Sequence, residues 1–220
     1  MRVLTFFWFS TLLFIGSYFF TSSKVFALAS GKGIFLSIKG AYDYGQEVND
    51  GTSGSYKASN VGYSGEGLLG FTYPVAAARL GFGGFYFYDS SKTYKIKSST
   101  STDTLQNFSI SPKGYGVDVN LRLAALYMRA GYGWYTADGR RVVNYVGRDY
   151  EVSDGTGIHA GIGLILGTVG MHPFLDVTYR QIAYKKVKLK SLSGDAITLD
   201  EGYKWNQKLL SIGGGIMLSF

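Results

Sequence analysis

Apolar and small side chains alternate along the last segment of the chain. Six of them, at even positions, are Leu210, Ile212, Gly214, Ile216, Leu218 and Phe220. The residues between them are Ser211, Gly213, Gly215, Met217 and Ser219. A repeat of two residues places alternate side chains on opposite faces of a β-strand. The pattern therefore predicts a strand with one apolar face, and similar alternation recurs in earlier segments of the chain.

Eight strands are predicted in this way, at 33–44, 62–73, 77–88, 113–123, 126–136, 155–166, 171–183 and 205–220. The connections at one end are short, at 74–76, 124–125 and 167–170. Those at the other end are long, at 45–61, 89–112, 137–154 and 184–204. An even number of strands near ten residues long, with this asymmetry, is typical of membrane barrels. The sequence predicts an all-β fold, an eight-stranded antiparallel up-and-down transmembrane β-barrel.

Charged residues indicate which face of each strand points inward. In strand 113–123, Val117 and Val119 lie on one face, whereas Asp118 and Arg122 lie on the other. A charge that faces lipid at the membrane midplane costs roughly 2–4 kcal/mol, so the charged faces should line the lumen. The predicted polar network of the lumen is Lys39, Glu66, Arg79, Asp118, Arg122, Arg129, His159, Asp176 and Arg180.

Strand adjacency suggests how these charges pair. We expect Lys39 beside Glu66, Asp118 between the strands of Arg79 and Arg129, and Asp176 beside the strand of His159. One interpretation is a satisfied polar core, because eight strands enclose only enough space for side chains. The alternative is a conducting or ligand-binding lumen, because many predicted inward residues are glycines, which leave space.

Aromatic residues concentrate where the strands should meet the two membrane interfaces. Amphipathic rings favour these interfaces. At the ends with long connections they are Tyr42, Tyr44, Tyr63, Tyr86, Tyr88, Trp134, Tyr184 and Trp205. At the other ends they are Phe71, Tyr73 and Phe220.

The N-terminal segment predicts export. Arg2 precedes a long apolar stretch at 3–20, and Ala27 and Ala29 provide the small-x-small pattern of a signal-peptidase site. We expect a signal peptide at 1–29 and a barrel domain at 30–220. An uncleaved membrane anchor is the alternative, because the apolar stretch is long enough to span a bilayer.

This architecture, together with Leu218-Ser219-Phe220 after alternating apolar residues, resembles the eight-stranded outer-membrane barrels. That group includes the OmpA transmembrane domain, OmpX and OmpW-like proteins. The resemblance covers the whole mature chain. It implies a bacterial outer-membrane location and insertion by the barrel-assembly machinery, with Leu218 and Phe220 as the assembly signal.

Residues that would support catalysis or metal binding are scarce. The sequence contains no Cys and only two His, so neither disulfides nor thiolate metal sites are expected. Lipid-modifying barrels need a nucleophile beside a base, but the face of His159 carries Gly157, Gly161 and Gly163 and no Ser. We therefore predict no enzyme activity, no metal and no cofactor.

The formal net charge is +7, but Lys and Arg are scattered along the chain, so nucleic-acid binding is not expected. The densest basic run is a predicted loop containing Lys185, Lys186, Lys188 and Lys190. It could contact lipopolysaccharide or a host polyanion, or simply be solvated.

The role that fits best is that of a monomeric surface protein of the outer membrane, with a structural or adhesion-like function. Its expected partners are outer-membrane lipid, lipopolysaccharide, the assembly machinery and a host or environmental ligand at the loops. The main alternative is a porin-like, OmpW-like narrow channel for small or apolar solutes. A lipid-modifying enzyme is a distant third.

Overall fold

The computed structural model describes residues 33–51, 54–98, 108–143, 146–166, 171–189, 197–198 and 204–220. The predicted signal peptide lies outside these residues. The strands are β1 (Gly33–Gly51), β2 (Gly54–Val75), β3 (Ala78–Ser98), β4 (Phe108–Leu123), β5 (Leu126–Val143), β6 (Val146–Ile165), β7 (Met171–Tyr184), β8 (Lys186–Leu189), β9 (Ile197–Thr198) and β10 (Lys204–Ser219). No helix in the described part of the chain is long and apolar enough to cross a membrane.

Eight of these strands form a closed wall. The sheet order is β5-β4-β3-β2-β1-β10-β7-β6, and β5 also pairs with β6, so the sheet closes on itself. Every pairing is antiparallel. Closure leaves no unpaired strand edge within the wall, which a bilayer requires because its core offers no water to hydrogen-bond. The predicted fold, an eight-stranded antiparallel up-and-down barrel, is confirmed.

The strands are staggered by ten residues around the barrel. Successive hydrogen-bonded partners lead from Phe35 on β1 once around the wall and return to Gly45 on the same strand. Such a stagger tilts the strands, typically by about 35–45°, and at eight strands it leaves an interior that side chains can fill.

The predicted long connections are wrong in extent. β2 contains 22 residues and β3 contains 21, about twice the 9–11 that cross a bilayer. β1 and β2 stay paired up to Gly51 and Gly54, and β5 and β6 up to Val143 and Val146. Ladder hydrogen bonds to neighbouring strands override the weak strand propensity of the Ser-, Gly- and Asn-rich sequence. Most of the predicted loop residues therefore extend the barrel as hairpins.

The opposite end of the barrel has tight turns. Ala76 and Ala77 connect β2 to β3, and Ala124 and Ala125 connect β4 to β5. The first residue of each turn has a positive φ of 51°, a geometry that two-residue hairpins favour. The predicted short connection at 167–170 lies outside the described residues.

The outer face of the wall is an apolar band. Side chains that the fold exposes by between 46% and 64% include Ile34, Ile38, Leu69, Phe82, Val117, Ile158, Ile162, Leu175 and Ile216. Contiguous exposed apolar surface of this kind is unusual on soluble proteins and normal on lipid-facing barrels. The fold is thus that of an outer-membrane β-barrel.

The expected aromatic positions hold for most residues but not for two. Tyr44, Tyr63 and Phe71 are more than half exposed on the outer face. Tyr184 and Trp205, which we expected at the interface, are buried inside the barrel. Their strand parity explains the difference, because both lie two residues along from inward side chains, Ile182 and Gln207.

Candidate functional site: the charged lumen

The nine side chains of the predicted polar network all lie buried inside the barrel, each 9% exposed or less. They are contributed by every wall strand except β10. Their position follows from the pleat, since alternate residues of each strand point inward. The apolar residues around them include Phe35, Leu68, Phe85, Phe87, Tyr127, Tyr135, Phe174 and Met217.

Glu66 on β2 connects opposite parts of the wall. One carboxylate oxygen pairs with Arg129 on β5, and the other lies 2.5 Å from Nη2 of Arg180 on β7. Two strands intervene between β2 and either partner strand in the sheet order. The ion pairs therefore cross the lumen rather than follow the wall, and they occupy its centre.

Asp118 and His159 complete this central cluster. Oδ2 of Asp118 lies 2.8 Å from Nη2 of Arg129 and accepts a 2.9 Å hydrogen bond from its Nε. The same oxygen lies 2.7 Å from Nε2 of His159. A single oxygen of Asp118 thus contacts both Arg129 and His159. The His159 ring also meets Phe85 edge-on, with ring centroids 4.8 Å apart.

The partner expected for Lys39 is wrong. Lys39 and Glu66 are direct cross-strand neighbours, yet Nζ of Lys39 lies 2.9 Å from Asp176 on β7 and donates to Thr178 Oγ1 at 3.0 Å. A long lysine side chain in a narrow lumen can reach past the intervening β10, and Glu66 is already held by two guanidinium groups. Strand adjacency alone could not predict this choice.

Two arginines lie apart from the acidic residues. Arg79 and Arg122 are cross-strand neighbours near the tight turns, and among the described residues neither forms an ion pair. We expected Asp118 to lie between Arg79 and Arg129, and of these two it contacts only Arg129. Arg122 instead lies over the Phe35 ring, with its guanidinium carbon 4.9 Å from the centroid.

Sequence reasoning missed two buried carboxylates. Asp43 and Asp89 are fully buried, so the described interior contains five acidic and five basic side chains. Asp43 lies four residues after Lys39 on β1, so the alternation of the strand places both side chains inward, and this pattern could have identified it. Asp89 fell in a predicted loop, because β3 was expected to end one residue earlier. The sequence could have identified Asp89 because it continues the alternate inward positions of Phe85 and Phe87 on β3.

The level above the central cluster is filled by aromatic rings. The Arg180 guanidinium carbon lies 3.6 Å from the centroid of Phe87, and Phe85 and Tyr135 contact each other. Further toward the hairpins, the inward side chains are Ile110, Ala137, Val152, Ile182, Tyr184, Trp205 and Leu209, all buried. An apolar core therefore continues into the hairpins.

Inward glycines do not leave the lumen open. A Cβ on Gly116 or Gly133 would lie 2.8 Å from the Phe85 ring, and one on Gly131 would collide with His159. Each of these glycines makes room for a bulky ring on another strand, one or two strands away in the wall. The space that suggested a channel is occupied by those rings.

The remaining sequence-predicted residues lie away from the lumen. Lys186 and Lys188 belong to β8, which pairs with β6, so the predicted basic loop is largely a strand, and Lys190 lies outside the described residues. This pairing arises because β8 continues the edge that β7 offers to β6. Leu218 pairs with Leu36, and the N–H of the exposed Phe220 donates to Ile34 O at 2.9 Å. Their role as an assembly signal stays a prediction.

No family model and no curated protein matches this sequence. Among solved structures, the chain is similar to the outer membrane protease OmpT from Escherichia coli, with a TM-score of 0.49, 9% identity and coverage of 86% of this chain and 97% of that one. It is also similar to Neisserial surface protein A (NspA), with a TM-score of 0.43, 13% identity and coverage of 87% and 100%. The barrel itself is established by the strand pairing described above.

Filling of the lumen can be tested at its glycines. Gly131→Ala should lower the free energy of unfolding in urea by about 1–3 kcal/mol, because the added methyl group overpacks the His159 site. Gly40→Ala is the matched control, since a Cβ there meets nothing within 4 Å. It should be neutral or slightly stabilising. Equal, small effects at both sites would mean that the lumen has spare room.

The cross-lumen pairing of Lys39 can be measured with a double-mutant cycle. Lys39→Met and Asp176→Asn should show a coupling energy within the range of about 0.5–3 kcal/mol seen for residues in contact. The control cycle, Lys39→Met with Glu66→Gln, should give a smaller coupling. A larger coupling to Glu66 would restore the adjacent-strand pairing and contradict the geometry above.

Proposed function

We propose that this chain is an integral protein of the bacterial outer membrane, exported through a cleaved signal peptide at 1–29, with a closed lumen and a role at the cell surface. The observation that carries the proposal is the ion-pair cluster of Glu66, Arg129 and Arg180, which joins strands across the lumen. A barrel blocked at this level by paired charges, with aromatic rings above, is suited to a structural or adhesion-like role rather than to solute passage.

The surface role is supported by the hairpins. They are continuous with the wall, hydrogen-bonded along most of their length, and share an apolar interior that includes Ile110, Ala137 and Val152. A paired, packed hairpin presents its outer side chains with less loss of entropy on binding than a free loop does. We propose an external ligand for these hairpins, contacts with lipid and lipopolysaccharide around the wall, and a monomeric barrel inserted by the assembly machinery.

A non-catalytic role is part of this proposal. His159 is 3% exposed and is held between Asp118, Arg129 and Phe85, so a substrate would have to displace the central cluster to reach it. Among the described residues, no three His, Asp or Glu side chains are arranged to hold a metal ion. Nucleic acid is not proposed as a partner.

Conductance separates the closed barrel from the narrow channel. Refolded protein in a planar bilayer should give no steady single-channel steps, because ion pairs and rings fill the lumen. A general porin added to the same membrane confirms that channels can be recorded. Reproducible steps from the unmutated protein, with folding verified by its gel mobility shift on heating, would establish the channel alternative.

Topology can be tested with inserted tags on intact cells. A tag placed between Val143 and Val146, at the tip of the β5–β6 hairpin, should bind antibody from outside. A tag between Ala76 and Ala77, in a tight turn, should bind only after the outer membrane is permeabilised. Detection of only the second tag on intact cells would show the reverse orientation, and detection of neither in membrane fractions would contradict the outer-membrane location.

A further inference from the structure

A groove of about 610 Å³ opens on the outer face of the barrel, near the level where the wall gives way to the hairpins. Its lining includes Tyr86, Tyr115, Trp134, Lys113, Lys185 and Asp154. The volume lies within the range of about 300–1,000 Å³ that small-molecule sites occupy. The groove lies outside the lumen and shares only Tyr135 with the interior packing described above.

A β-bulge on β6 lies at the groove, where Ser153 and Asp154 oppose the single residue Thr136 of β5. The register of β5 against β6 shifts between Tyr135 and Ala137, and the pairing of β6 passes from β7 to β8 across Lys185. Asp154, within this bulge, has a positive φ of 53°, a conformation that Asp adopts more readily than most residues other than glycine.

Aromatic rings form the apolar part of the groove. Tyr115 and Trp134 lie on adjacent strands with ring centroids 5.8 Å apart, and Tyr132 meets Trp134 edge-on at 5.6 Å. All three are exposed on the outer face. Such a surface offers flat faces for the apolar side of a sugar ring and is continuous with the lipid-facing band below.

Cationic side chains border the same groove. Lys113 pairs with Asp138 at 3.0 Å, and Lys186, adjacent in sequence to the lining residue Lys185, pairs with Asp154 at 2.6 Å. Lys185 is exposed and has no ion-pair partner among the described residues. Both ion pairs are solvent-exposed and therefore weak, so an incoming anion can compete for these lysines.

We propose that this groove binds the phosphorylated sugar headgroup of an outer-leaflet glycolipid. In this assignment Lys113 and Lys185 bind phosphate, Tyr115 and Trp134 stack against the sugar, and Asp154 accepts hydrogen bonds from hydroxyls. The acyl chains lie along the apolar band of the wall. Position selects a membrane-borne ligand over a soluble one, because the groove is continuous with the lipid-facing surface. The inference rests on the proposed outer-membrane location and adds a defined lipid site to it.

The test is a titration of the refolded barrel in detergent micelles with bisphosphorylated lipid A, with bound lipid counted by native mass spectrometry. The variant Lys113→Ala/Lys185→Ala should bind at least about tenfold more weakly, since each charged hydrogen bond contributes more than a neutral one. Lys208→Ala is the matched control. Lys208 is an exposed lysine on β10 that does not line the groove; it lies four strands from β4 and opposite Gln181 on the neighbouring β7, and its loss should leave the affinity unchanged.

Three further ligands define the chemistry. Dephosphorylated lipid A should bind as weakly to the unmutated protein as the phosphorylated form binds to the double variant. Phosphatidylglycerol should not compete, and neither should soluble glucosamine-1-phosphate at equal concentration. Equal losses in the Lys208 variant, equal binding of dephosphorylated lipid A, or effective competition by either other ligand would overturn the proposal. The assay uses purified protein, so a negative result would overturn the lipid site without bearing on the outer-membrane location, which the tag experiment tests separately.

Discussion

Closure of the sheet is the constraint on which the rest of this structure depends. Within a bilayer every backbone N–H and C=O must find a partner in the protein, and eight antiparallel strands meet that demand only by returning to the first. The stagger of ten residues that accompanies closure sets the tilt of the strands and the width of the lumen. A lumen of that width brings side chains from distant strands into contact.

Charge burial follows from the same narrowness. Ionised groups removed from water are strongly destabilising unless they are paired. Glu66 and Asp118 therefore each bind two neighbours, and Lys39 crosses to Asp176. Glycines on neighbouring parts of the wall admit the rings that surround this cluster. The interior is a packed core built from polar groups, and this packing supports a surface role over solute passage.

The strands extend beyond the bilayer, so much of the barrel wall lies outside the membrane. There the wall ceases to be regular. A bulge in β6, which contains the left-handed residue Asp154, faces β5 on one side and the transition from β7 to β8 on the other, and the aromatic and basic groove lies there. Regular strands leave no such concavity, so the irregularities are what create the possibility of a specific site on the outer face.

The sequence by itself determined the fold class, the number of wall strands and the inward face of most of their residues, with Tyr184 and Trp205 as exceptions. The reason is that successive residues of a barrel strand face lipid and lumen in turn, so apolar and polar residues alternate along the sequence with a period of two. It also identified nine of the ionisable residues that lie in the lumen, because charges are excluded from the lipid face. Asp43 was missed, although its strand alternation pointed inward, and Asp89 was missed because the strand was expected to end before it.

Three features were decided by tertiary structure alone. The partner of each lumen charge depends on which side chains meet across the barrel, so Lys39 binds Asp176 although Glu66 is its neighbour in the sheet. The length of the hairpins depends on pairing with both neighbouring strands, which a polar, glycine-rich sequence does not signal. The groove near Trp134 depends on a bulge in β6, and only the alignment of strands in the closed wall brings Lys113, Asp154 and Lys185 together.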